Sequence, residues 1–178
     1  AVLPTGGRLL ELAKRHGVPY VEMPKTGIQP RSALGFAMLG FAAIMKKPAL
    51  QKELSALART LRPRAIETKG KALAKRLSGR VPVMYVGSKN APIAYNWKIK
   101  FNETGKVPAF LNVFPELNHN EMTGFDTIPA TKKLSERFSF LFLKGKEHPQ
   151  IEKRRKVTAK LYAARGLPVE VLSLSGKG

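Results

Sequence analysis

Glu103 and His119 are the residues of this sequence best suited to proton chemistry. Both lie in the stretch from Asn96 to Phe125, NWKIKFNETGKVPAFLNVFPELNHNEMTGF. An ionised carboxylate can abstract a proton, and a neutral imidazole can give or take one at a ring oxygen. The spacing puts Glu103 near the end of one expected helix and His119 at the start of the next, with an extended apolar segment between them. The expectation is that both reach the same edge of a parallel sheet.

Each residue also has a plainer reading. Asn96, Lys100 and Glu103 are spaced i, i+4 and i+7, so they share one helix face and Lys100 brings a cation beside the carboxylate. An exposed Glu–Lys pair of that kind is worth only a few tenths of a kcal/mol. Asn118, three residues before Glu121, resembles a capping box. That would place His119 in the first turn of a helix, just past the C-terminal end of a buried strand, where ligands collect in open α/β sheets. The plainer reading there is a capping motif with an incidental histidine. His16 before Gly17 and His148 before Pro149 read as structural helix-end residues. Arg31 follows Gln29 and Pro30 and opens an apolar helix, so its fork can meet an oxyanion or phosphate. The turns Thr5-Gly6-Gly7 and Gly87-Ser88-Lys89-Asn90 each follow a strand and precede a helix. Backbone amides in such turns can hold phosphate or sugar oxygens. Neither turn matches a P-loop or a dinucleotide fingerprint. Asp126 is the only aspartate and no histidine pair has ligand spacing, so no metal site is read.

The elements that must position these groups alternate. VPVMYVG (81–87), PAFLNVF (108–114), SFLFLKG (139–145) and LPVEVLSL (167–174) read as strands. Helices are expected over 91–101, with Ile93, Trp97 and Phe101 as its apolar stripe, from Asn118 to Phe125, and from His148 to Arg165. Strands alternating with helices imply βαβ units, a mainly parallel sheet and an α/β three-layer sandwich of the Rossmann or flavodoxin kind. Upstream, AVLP and Val18 to Met23 read as short strands around a helix from Arg8 to His16. The segment LGFAMLGFAAIM (34–45) is apolar nearly all round and is expected to be buried on several sides. Two further helices follow, with stripes at Leu50, Leu54, Leu57 and Leu61, and at Ile66, Leu73 and Leu77.

Composition narrows the partners. The 178 residues hold no cysteine, which excludes disulfides, thiolate metal sites and cysteine nucleophiles and fits a reducing cytoplasm. No stretch is long and apolar enough for a membrane helix. The formal net charge is +20, and residues 46 to 80 contribute eleven Lys/Arg against Glu53 and Glu67. A basic face of that kind suits nucleic acid, anionic lipid or a phosphorylated metabolite. Those same residues contain no Phe, Tyr or Trp, so a stacking platform for single strands is missing, which argues against nucleic acid.

Taken together, YVGSKNAPIAYNWKIKFNETGKVPAFLNVFPELNHNEMTGF closely resembles the C-terminal half of the bifunctional phosphoglucose/phosphomannose isomerases. These are built from two sugar-isomerase (SIS) domains. The resemblance extends upstream through TGGRL, VPYVEMP and QPRSALGF, and downstream through HPQIEKRRKVTAKLYAARGLPVEVLSLSG. It implies residues 1–28 as the tail of a first SIS domain plus linker, and 29–178 as the second SIS domain without its last helix. It further implies interconversion of glucose 6-phosphate, fructose 6-phosphate and mannose 6-phosphate through a cis-enediol, in a cytoplasmic homodimer, with no cofactor or metal. Glu103 matches the base. His119 matches the histidine of ring opening, which in this family reaches the site of the other subunit. Arg31 matches the arginine that steadies the enediolate. Gly6, Gly7, Pro30, Asn96 and Lys100 are the matching candidates for substrate binding. The family's Ser/Thr/Gly-rich phosphate loop is expected upstream of these residues, and its C-terminal helix with an active-site lysine beyond Gly178. Two other classes remain in play: a non-catalytic SIS module that binds a sugar phosphate, and a basic nucleic-acid-binding protein.

Overall fold

A computed structural model describes residues 1–174. The chain divides into two compact units, Ala1–Thr68 and Lys69–Gly178. No helix among the described residues is long and apolar enough to cross a membrane.

The second unit holds a four-stranded, all-parallel sheet: β1 (Val81–Gly87), β2 (Phe110–Phe114), β3 (Phe138–Lys144) and β4 (Val169–Ser173), in the order β2-β1-β3-β4. β1 and β3 are continuous apolar runs because both faces of a central parallel strand are covered. Successive side chains point to opposite faces, so each strand feeds two cores. Val83, Tyr85, Phe140 and Phe142 pack with Phe114, Leu117, Ala159 and Tyr162 on one face. Met84, Val86, Leu141 and Leu143 pack with Leu77, Ala94 and Ala109 on the other. The first core is covered by α8 (Pro149–Ala164) and the short α6 (Glu121–Gly124). The second is covered by α5 (Ala91–Glu103) and the end of α4 (Pro63–Leu77). This is the expected three-layer α/β sandwich. The α5 stripe differs by one position from its sequence reading. Ala94, Trp97 and Phe101 face the sheet, whereas Ile93 is exposed. The four-residue α7 (Lys132–Ser135), which the sequence reading did not anticipate, precedes β3.

The first unit is helical: α1 (Gly7–Arg15), α2 (Leu34–Ile44) and α3 (Pro48–Thr60), with a 3-10 turn over Pro30–Ser32. The two strands expected here reduce to one parallel bridge, Val2 to Tyr20. Burial of α2 is also less than expected. Gly40 and Ala42 are buried, and Leu3 lies where a side chain at residue 40 would stand, but Leu34, Met38, Phe41 and Met45 are exposed. An all-apolar helix is covered only where this unit supplies a neighbour.

Candidate functional site

The topology separates Glu103 from His119. α5 starts at the C-terminal end of β1 and runs back along the sheet, a length of about 20 Å for its 13 residues. Its last residue is Glu103, at the edge where β2 begins. The side chain of Asn102 fixes that turn, accepting from the Ala109 amide at 2.9 Å. β2 then runs forward, and His119 follows its C-terminal end through Pro115 and a 3-10 turn over Glu116–Asn118. Glu103 and His119 therefore sit at opposite edges of the sheet, with five strand residues, roughly 15 Å, between the edges. The same-edge expectation is wrong, because a helix between parallel strands returns its end to the strand-start edge.

Asn96, Lys100 and Glu103 share the α5 face turned away from Ala94, Trp97 and Phe101. Lys100 and Glu103 are exposed and Asn96 half-buried. In the first unit, Arg31 is half-buried in the Pro30–Ser32 turn. Thr5 and Pro30 line one pocket of about 270 Å³ together with Lys25 and Phe36. Gly6 and Gly7 have φ of 129° and 64°, values open to glycine, and lead straight into α1. Lys25 lies close beside Gly6, its Cε 3.2 Å from where a Cβ would stand.

His119 is at a surface. Its side chain is 85% exposed, and Nδ1 lies 3.8 Å from the Glu116 carboxylate. Asn120 donates to that carboxylate at 3.2 Å. The expected capping box does not form. Asn120, not Asn118, caps α6 and accepts from the Glu121 amide. The Asn118 side chain instead donates to Thr158 on α8 at 2.8 Å. Glu121 turns inward, where Tyr85 donates to it at 2.7 Å and Asn112 donates to its second oxygen. Arg165, past the end of α8, donates to the carbonyls of Met122 and Phe125 at 3.2 Å each and pairs with Asp126. The sequence signal that could have exposed this was Asn112, a polar residue in the middle of an otherwise apolar strand.

The Gly87–Asn90 turn is not an open anion cradle. Asn90 donates to Glu147, and the Glu147 carboxylate occupies the space where a Cβ at residue 87 would stand. The other two histidines end helices. His148 caps α8 by accepting from the Gln150 amide at 3.2 Å, and His16 closes α1.

Residues 66–178 match the family profile described as the bacterial phospho-glucose isomerase C-terminal SIS domain. The chain belongs to that family. It is similar to the bifunctional phosphoglucose/phosphomannose isomerase of Aquifex aeolicus, 32% identical over 99% of this chain and 53% of that protein. The protein of the same name from Caldicellulosiruptor bescii is 35% identical over 70% of this chain and 41% of its own length. A D-glucosamine-6-phosphate 4-epimerase of Sulfolobus acidocaldarius is 29% identical over 68% of this chain and 40% of its own length. The chain thus spans about half the length of the curated relatives it matches.

Proposed function

We propose that this chain is the C-terminal part of an aldose–ketose isomerase acting on hexose 6-phosphates. In this reading residues 1–28 close a first SIS domain and the rest forms the second. Glu103 removes the proton from C2 of the open-chain aldose, and the electron pair moves into a cis-enediol. The hydroxyl proton passes from O2 to O1, and the same carboxyl returns its own proton to C1, which yields the ketose. Arg31 offsets the enediolate charge, and His119 exchanges a proton with the ring oxygen as the sugar opens. This is general acid–base catalysis with electrostatic support.

The observation that supports this reading most is the placement of Glu103 and His119 at opposite edges of one sheet. One copy cannot bring both to one sugar, whereas a homodimer can complete each site with the other copy's histidine. A module that only bound a sugar phosphate would need neither group.

The test is a coupled assay on the full-length polypeptide that carries this chain, with fructose 6-phosphate, mannose 6-phosphate and glucosamine 6-phosphate. Turnover of the first two is expected. Glu103→Gln should cost at least about 100-fold in kcat, the scale of a lost general base, while ligand binding persists. Wild-type turnover in that variant, or activity confined to glucosamine 6-phosphate, refutes the assignment.

A further inference from the structure

The segment that presents His119 is tied to the sheet by a polar knot inside an aromatic core. Tyr85 is fully buried in the middle of β1. Its ring stands edge-on to Phe142, with centroids 5.3 Å apart, and lies 5.6 Å from Phe140. Its hydroxyl reaches Glu121 at 2.7 Å and the hydroxyl of Tyr162 at 3.2 Å. A carboxylate only accepts, so the single Tyr85 proton goes to Glu121 and Tyr162 must donate to Tyr85. Burial pushes the Tyr85 phenol far up, and burial pushes Tyr162 up to about 12 against the hydrogen bond to Tyr85, which lowers it. Both stay protonated, so the direction of the relay is fixed. Asn112, paired beside Tyr85 across the β1–β2 ladder, donates its amide to the second Glu121 oxygen and keeps its own Oδ1 for the Val113 amide at 2.8 Å. A half-buried carboxylate with two such donors is held in one place. Leaving those donors unpaired would cost more than the bonds themselves contribute.

We propose that Glu121 is a positioning residue: through Tyr85 and Asn112 it fixes the Asn118–Asn120 segment, and so sets where His119 meets the substrate. Nothing else charged anchors this segment to the strands among the described residues; Asn118 and Arg165 tie it to the α8 side. His119 itself contributes little to holding the segment, since its side chain is 85% exposed. The kinetic consequence rests on the isomerase reading above, but the anchor does not.

The experiment uses Glu121→Gln, Asn112→Asp and the double variant in the full-length polypeptide. In E121Q an amide N–H must face a donor, either Asn112 or a reversed tyrosine relay whose last proton finds no acceptor. In the double variant the carboxylate introduced on β2 accepts from the amide introduced on α6. The carbonyl of that amide accepts from Tyr85, and the bond to the Val113 amide remains. Two readouts are taken on folded protein. Amide NMR signals of Asn118, His119 and Asn120 should broaden or shift in E121Q and return in the double variant. With fructose 6-phosphate, E121Q should lose about tenfold in kcat with KM within about twofold, and the double variant should recover to within about threefold. Tyr85→Phe, which removes one donor without a charge change, should give a smaller loss of the same kind. Unchanged signals in E121Q, or changed signals with unchanged kcat, overturn the proposal, as does a double variant no better than E121Q. If the unsubstituted protein turns over no hexose 6-phosphate, the isomerase reading fails, and the NMR comparison alone then decides the anchor.

Discussion

A histidine with an 85% exposed side chain has little use as a proton carrier in its own copy, because solvent competes for every proton it handles. Its surroundings make sense once another surface closes over it. Glu116 and Asn120 sit beside it, and at this exposure the Glu116 contact adds almost nothing to stability. We expect His119→Ala to lower kcat on cyclic fructose 6-phosphate by about 100-fold or more while the protein keeps its melting temperature. An open-chain substrate analogue should be processed with a much smaller loss. Equal losses on both would remove His119 from ring opening. If Glu103 is the base proposed above, its substitution should affect both substrates alike.

At the scale of elements, the sheet and α8 supply the rigidity. Phe142 on β3 is fully buried among Tyr85, Phe114 and Tyr162, so Phe142→Ala should cost about 3–5 kcal/mol in urea unfolding. Leu134 on α7 is 67% exposed, and Leu134→Ala should stay within about 0.5 kcal/mol. Within α8, the buried Arg155 donates to both oxygens of Glu152, one turn earlier, at 2.9 and 2.7 Å. Those bonds hold the Glu152 carboxyl below its ordinary value of 4.5. The folded state therefore binds fewer protons at this site than the unfolded chain. The contribution is present above the ordinary value and is lost as pH falls through the lowered folded one. In Glu152→Gln the fall of the urea midpoint as pH drops below the ordinary carboxyl value should be shallower than in the unsubstituted protein. An equally steep fall would assign the acid sensitivity to other carboxylates.

In a homodimer of the kind proposed above, the opposite placement of Glu103 and His119 would let each copy complete the other's site. Two variants, Glu103→Gln and His119→Ala, should each be nearly inactive alone. Mixed after co-refolding or co-expression, half of the dimers pair one of each, and each such dimer has one intact site. Activity should return to about a quarter of the unsubstituted level. No recovery on mixing, with dimers demonstrably exchanged, would mean that each copy builds its site alone. The exposed apolar side of α2 and the +20 charge belong to this scale too, and nothing in the described residues explains the charge.

The four strands, the order of helices between them and the α/β class were legible in the residues alone, because apolar periodicity and Gly/Pro punctuation are local signals. The sequence also carried the motif around Glu103 and PELNHNE that identifies the family. It even held the separation of Glu103 from His119, since consecutive parallel strands force their helix to run backwards and so part residues that are neighbours along the chain. The fate of individual polar groups depends instead on partners brought together by long-range packing. Asn118 and Glu121 have the spacing of a cap, yet Thr158 on α8 draws one away and Tyr85 and Asn112 draw the other into the core. A buried donor costs more unpaired than a helix cap contributes, so long-range partners outcompete the local motif. The Gly87–Asn90 turn looked free to hold an anion until Glu147, 60 residues further along the chain from Gly87, occupied it.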